Sequence, residues 1–403
     1  MSFAAERLAG RSVPAFLTQG FRPFFLAAGV WSAAALAVWI TILASGGALP
    51  SRFDPLSWHI HEMLFGFALA AIAGFLLTAI PNWTGRLPVR GLPLASLAGL
   101  WLLGRMTCLV SALVPGWLAV VADLAFPVAL AGVIGREIVA GRNWRNLPMV
   151  APVTVLAIAD LLMQLEAAGV AASPGLGWRL GLTGVIVLIS IVGGRIIPSF
   201  TGNWLAKRPH ARLPVTTKAV ERAALGTLHT GMIGWAFVPY FRPLGALLLL
   251  GAALNLWRLA RWRGAATRTE PLLLILHIGY AWLVLGAGLL GVSVLGAGPT
   301  QSAAIHALTA GAIGTMTLAV MTRATLGHTG RDLTADRVTS VIFLLVTLAA
   351  SARVVAAASG SWVMLLLETS AVGWIGAFAL FVLHYGPLLF RPRVGGREAR
   401  RKS

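Results

Sequence analysis

The chain has 403 residues, of which 58% are apolar and only 11% charged, and its mean hydropathy is +0.82. Soluble domains carry about 25% charged residues, so this composition excludes a soluble enzyme, a disordered chain and a coiled coil. A net charge of +19 leaves a nucleic-acid partner or a membrane topology signal to be separated, and a single cysteine, Cys108, excludes an internal disulfide, an iron–sulfur cluster and a thiolate zinc site.

The first 23 residues are polar and include no apolar core followed by a small-residue cleavage site, so no signal peptide is read there. Beyond them, apolar runs of the length needed to cross a hydrocarbon core of about 30 Å follow one another closely. They predict twelve transmembrane helices, at 24–45, 57–80, 92–113, 116–139, 148–169, 178–198, 220–239, 243–262, 271–295, 301–322, 338–358 and 361–387. The runs are too continuous for barrel strands. The expectation is one all-α polytopic membrane domain over 1–403.

Lys and Arg retained in cytoplasmic loops orient such a chain. With the N-terminus inside, the inner segments hold Arg7, Arg11 and Arg22; Arg86 and Arg90; Arg136, Arg142 and Arg145; and Lys207, Arg208, Arg212 and Lys218. They also hold Arg258, Arg261, Arg263 and Arg268; Arg323, Arg331 and Arg337; and a basic tail from Arg391 to Lys402. The outer loops and outer helix ends hold only Arg52, Arg179, Arg242 and Arg353. Both termini are therefore expected in the cytoplasm, and the charge is explained with no nucleic acid.

Three spans close alike on the inner side. Span 2 ends in Pro81-Asn82-Trp83-Thr84-Gly85-Arg86, span 6 in Pro198-Ser199-Phe200-Thr201-Gly202-Asn203, and span 10 in His328-Thr329-Gly330-Arg331. Each lies four spans after the last. Either three groups of four helices repeat, or the echo reflects only the general preference of helix ends for glycine, threonine and polar residues.

Ionisable residues inside a bilayer are costly and mark functional sites by default. The acids Glu62, Asp123, Asp160, Glu166 and Glu368 all fall in the outer half of their spans, and Arg105 lies at a depth where it can pair with Asp123. Six histidines also belong to spans. His59, His61 and His306 sit near the outer side, His229 at mid-depth, and His277 and His384 in the inner half. His210 and His328 are expected in loops. In Trp58-His59-Ile60-His61-Glu62-Met63, positions i and i+2 are about 200° apart on a helix. His59 and His61 therefore cannot chelate one ion from a regular helix, but one helix can serve two centres. Neutral imidazole suits iron, copper and zinc, and two imidazoles from two helices can hold a haem iron axially. His59, His61, His229 and His306 are the candidate cofactor ligands, and all six span histidines are candidate metal ligands. His277 and His384 either form a second site or bind nothing. Glu62 is the candidate catalytic acid, as a carrier of protons. Met63, Met232 and Met316 are read as packing. No P-loop, GxSxG or HExxH motif occurs, and with one cysteine any haem must be non-covalent.

At these residues the chain resembles the NnrS family of bacterial membrane proteins. The matching segments are Gly20–Phe25, Trp58 and His61–Gly66, Gly74–Ala79, Pro81–Arg86, Gly194–Pro198, His306–Thr309 and Met321–Arg323, running on to Gly327–Arg331. The resemblance implies a twelve-helix inner-membrane protein containing haem and copper, with a role in nitric oxide metabolism, nitrosative stress resistance and denitrification. It implies no defined turnover. A weaker, fold-level analogy links the three groups of four and the His-x-His pair to haem–copper oxidases and nitric oxide reductases. In those enzymes the pair and the single histidine are placed the other way round. The leading expectation is redox chemistry on nitric oxide at a buried outer-half site, with electrons from quinol. The alternatives are a sensor or scavenger that binds nitric oxide without turnover, and a secondary transporter.

Overall fold

The computed structural model describes residues 13–170, 173–298 and 301–394. The inner-side cations Arg7, Arg11, Arg397, Arg400, Arg401 and Lys402 lie outside them. The described residues form helices, turns and loops without strands. Twelve long helices occupy the twelve expected stretches: α1 (Phe21–Ser45), α2 (Pro55–Thr84), α3 (Leu92–Leu109), α4 (Gly116–Ala140), α5 (Val150–Ala167), α6 (Leu176–Leu205), α7 (Lys218–Phe237), α8 (Pro243–Ala260), α9 (Pro271–Val294), α10 (Gln301–His328), α11 (Arg337–Ala356) and α12 (Val363–Phe390). Eleven are long and apolar enough to cross a bilayer, which makes the chain a multi-pass membrane protein. The exception is α7, whose 20 residues include Lys218, Glu221, Arg222 and His229. It turns part of that polarity inward: Glu221 is ion-paired to Arg258 of α8, which is 2% exposed.

Helices run further than the apolar runs suggest. The sixth span was expected to end at Pro198, but α6 continues to Leu205, and α2 continues through Pro81 to Thr84. Proline is tolerated inside membrane helices because neighbouring groups satisfy the freed carbonyls. The N-terminus of α2 is capped by Asp54, whose carboxylate accepts from the amides of Leu56 and Ser57. Partial burial alone would raise the Asp54 carboxyl, but these hydrogen bonds outweigh it and hold the group below the usual carboxylate range.

Helices α2, α6 and α10 pack against one another at the centre. They are also the most enclosed by protein, with 83%, 61% and 67% of their most apolar stretch buried, against 28% for α1. Each is the second helix of a group of four, and α12 returns to pack on α1. The echo between the chain segments has a structural counterpart. His61 and His306, Gly66 and Gly311, and Gly85 and Gly330 are each 245 positions apart. Each of the two histidines is followed at once by a π-helical turn, Glu62–Ala68 in α2 and Ala307–Ile313 in α10. Such turns recur at functional sites because one wide turn redirects the side chains around it. At the corresponding places α6 carries Trp178 and Arg179 and stays α-helical. The π turn is therefore present in two of the three central helices and absent from the third.

Close helix approaches rest on glycine. A Cβ at Gly245 of α8 would lie 2.6 Å from the carbonyl oxygen of Gly291 of α9, and one at Gly291 would lie 2.7 Å from that of Gly245. The obstacle is backbone on both sides, so no side chain can move aside. Gly245→Val is expected to destabilise by about 1–3 kcal/mol through overpacking, read as a lower thermal transition in detergent. An unchanged transition would show that the two helices separate freely.

Candidate functional site

The start of α2 presents two histidines to two different surroundings. His61 is fully buried and turns towards α3, α4 and α5. Its Nδ1 lies 3.0 Å from Glu62 Oε1, and its Nε2 lies 2.9 Å from both Asp123 Oδ2 and Asp160 Oδ1. Arg105 of α3 donates from Nη1 to Glu62 Oε1 at 2.7 Å and is also paired with Asp123 Oδ1. The second carboxylate oxygen of Glu62, Oε2, accepts from the indole of Trp31 at 2.6 Å. Asp123 Oδ2 also accepts from Gln164 Nε2 at 2.6 Å. Cys108 Sγ lies 4.0 Å from His61 Nδ1, the nitrogen that also faces Glu62. Glu62, Asp123 and Asp160 are each 0% exposed and Arg105 is 2% exposed. In a buried cluster of this kind, any member left without a partner is costly.

Local structure sets this geometry. The π turn begins at Glu62, and its backbone is held where Trp101 of α3 donates to the carbonyl of Gly66 at 2.9 Å. Gly66 is required there, since a Cβ would lie 2.5 Å from Trp31 Nε1 and 2.9 Å from Glu62 Oε2. Phe53 and Phe65 close the apolar side of the His61 ring.

His59 faces elsewhere. Its ring stacks on Trp39 with centroids 4.9 Å apart, and its Nδ1 is buried without a hydrogen-bond partner. It is close enough to His306 of α10 and Arg353 of α11 to interact with both electrostatically. His306 Nδ1 donates to the carbonyl of Ser302 at 2.8 Å, which fixes the tautomer and leaves the Nε2 lone pair free. Arg353 donates to the Ser302 hydroxyl. The structure thus brings His59, rather than His61, towards His306.

The remaining candidates are dispersed. His229 Nε2 is 2.7 Å from Ser190 Oγ, between α6 and α7 and beside the Arg258 cluster. His277 Nε2 is 3.0 Å from Thr201 Oγ1, with Nδ1 unpartnered beneath Gly264. His384 is ion-paired to Asp336 at 2.7 Å on the surface. His277 and His384 therefore have separate partners rather than a shared centre. Of the five span acids, Glu62, Asp123 and Asp160 converge. Glu166 accepts from the amide of Gly175, and Glu368 is exposed. The pairing of Arg105 with Asp123 was legible from depth alone. Cys108, Gln164 and Trp31 were not, because nothing in their local sequence distinguishes them from packing residues.

The donor sets suit different groups. On the His59 side, two imidazoles from two helices offer one orphaned nitrogen and one free lone pair, with a guanidinium beside them. This fits a group bound through imidazole and bearing negative substituents, such as haem. On the His61 side, one imidazole and two carboxylates converge, with their ligand atoms within 4.8 Å of one another. This fits a single cation, not a haem ring. No curated protein gives a match to this chain. The family model described as NnrS protein matches residues 15–393, nearly the whole length, so the chain belongs to the NnrS family.

Proposed function

We propose that this protein is a haem- and copper-containing redox protein of the bacterial inner membrane, acting in the response to nitric oxide. The observation that carries the reading is a pair of histidines on two of the three central helices, His59 with its Nδ1 unpartnered and His306 with its Nδ1 held by the Ser302 carbonyl so that Nε2 is left to bind. Bound there, haem would supply an iron that binds nitric oxide. The surrounding residues supply the rest. Ser302 fixes the His306 tautomer, Trp39 holds the His59 ring, and Arg353 provides a positive charge for an anionic substituent. Glu62 stands between His61 and Arg105 at the head of the π turn, and its carboxylate is the candidate carrier of protons.

Both termini lie in the cytoplasm in this reading, which requires α7 to cross the bilayer as the seventh of twelve spans. The basic inner loops support it. Nitric oxide is small and apolar, so it reaches a buried centre through lipid, and electrons come from a membrane donor such as quinol.

The test is a reduced-minus-oxidised visible spectrum of protein purified in mild detergent from cells supplied with haem and copper. Copper is quantified on the same sample. A haem spectrum with near-stoichiometric copper, followed by nitric oxide consumption, supports redox turnover. Absence of both would overturn the reading. Binding of nitric oxide without product would make the protein a sensor or scavenger.

A further inference from the structure

We propose that His61, Asp123 and Asp160 form a binding site for one divalent first-row transition cation, and that Glu62 and Arg105 position it. This deepens the copper part of the reading above and is independent of haem.

The argument begins with charge. Three buried carboxylates, Glu62, Asp123 and Asp160, face one guanidinium, Arg105. A divalent cation with neutral His61 brings the cluster to zero. Hydrogen bonding points the same way. Two carboxylate oxygens, Asp123 Oδ2 and Asp160 Oδ1, each lie 2.9 Å from the same His61 nitrogen. A single N–H cannot satisfy both well. A cation lying between that nitrogen and the two oxygens would bind all three. Asp160 Oδ2 is an independent sign. It belongs to a fully buried carboxylate, has no hydrogen-bond partner, and shares a carboxyl group with an oxygen aimed at His61. An unpartnered carboxylate oxygen is costly in the interior and is a ready second ligand atom for a metal.

The surrounding groups are arranged as metal sites arrange them. A ligating histidine usually gives its other N–H to a carboxylate, which fixes the tautomer and raises the basicity of the ligating nitrogen. His61 Nδ1 is 3.0 Å from Glu62 Oε1. Glu62 is in turn held by Arg105 at 2.7 Å and Trp31 at 2.6 Å, and Asp123 by Gln164 at 2.6 Å. Glu62 is thus a positioning residue. The ligand set defines the metal class. Imidazole favours copper, zinc, iron or nickel over magnesium and calcium, and two carboxylates favour Cu2+ over Cu+.

The probe is Cu2+, added to the chelator-stripped full-length protein, followed by a brief EDTA wash that clears surface imidazoles such as His384. About one copper per chain is expected to remain, with an electron paramagnetic resonance spectrum split by a single nitrogen. Asp123→Asn and Asp160→Asn should each lose the retained copper while keeping a monodisperse elution profile. Glu62→Gln should keep the stoichiometry but weaken affinity roughly 10- to 100-fold. No retained copper in the wild type, copper unchanged in both Asn variants, or splitting by two or more nitrogens would overturn the site. The wild-type splitting decides even where a variant fails to fold. Copper with one-nitrogen splitting in protein that never takes up haem would leave this site standing and remove the haem reading.

Discussion

Replacing Arg105 with methionine is expected to destabilise the protein by about 3–5 kcal/mol, the cost of breaking a buried ion pair from one side. Among the described residues, Arg105 is the only guanidinium bonded to Glu62 and Asp123, both 0% exposed. Methionine fills much of the same volume, so the loss would come from charge rather than from a cavity. Against a total stability of about 5–15 kcal/mol, the effect should appear as a large fall in the detergent unfolding temperature or as failure to accumulate in the membrane. The control is the triple variant Arg105→Met, Glu62→Gln, Asp123→Asn, which removes the charges together and should recover most of the loss. Equal instability of the single and triple variants would show that Arg105 contributes packing and not charge compensation.

The second large effect concerns the histidines. His59→Ala and His306→Ala are each expected to lower haem content at least tenfold in protein that still elutes as a single species. His229→Ala, His277→Ala and His384→Ala should keep it, because their partners are Ser190, Thr201 and Asp336 respectively. His61→Ala separates the two environments: it should lose copper and retain haem. Loss of haem in His61→Ala with full retention in His59→Ala would exchange the roles of the two α2 histidines. The opposite facing of the pair follows from helix geometry alone, since two positions rotate the side chain by about 200°. Which of the two meets α10 does not follow from it.

The division within the repeat bears on both predictions. In α2 and α10 a histidine immediately precedes a π turn, and the next helix supplies an arginine: Arg105 from α3 and Arg353 from α11. Three carboxylates surround the α2 histidine, whereas His306 gives its N–H to a backbone carbonyl. The same scaffold position thus offers a negative environment in one group and a neutral-to-positive one in the other. Two side-chain environments of different character are built on corresponding positions of α2 and α10 in this way.

The sequence by itself determined the solvent, the helical class and the approximate place of each long helix. Composition leaves lipid as the only environment, and a span is a property of local apolar content that needs no partner. It also offered the repeat as one of two readings, through the shared Thr-Gly ends of spans 2, 6 and 10, and it placed Arg105 at a depth where it can pair with Asp123. The tertiary structure decided what depth cannot. Depth places a residue along the membrane normal and says nothing of the direction in which its side chain points. Rotation about each helix axis is set by packing, through contacts such as Gly245 on Gly291 and Trp101 on the Gly66 carbonyl. That rotation sent His61 into the carboxylates of α4 and α5 and His59 towards His306. It also drew Trp31, Cys108 and Gln164 into the cluster. Their separations along the chain, 31 positions from Trp31 to Glu62 and 41 from Asp123 to Gln164, carry no local periodic signal.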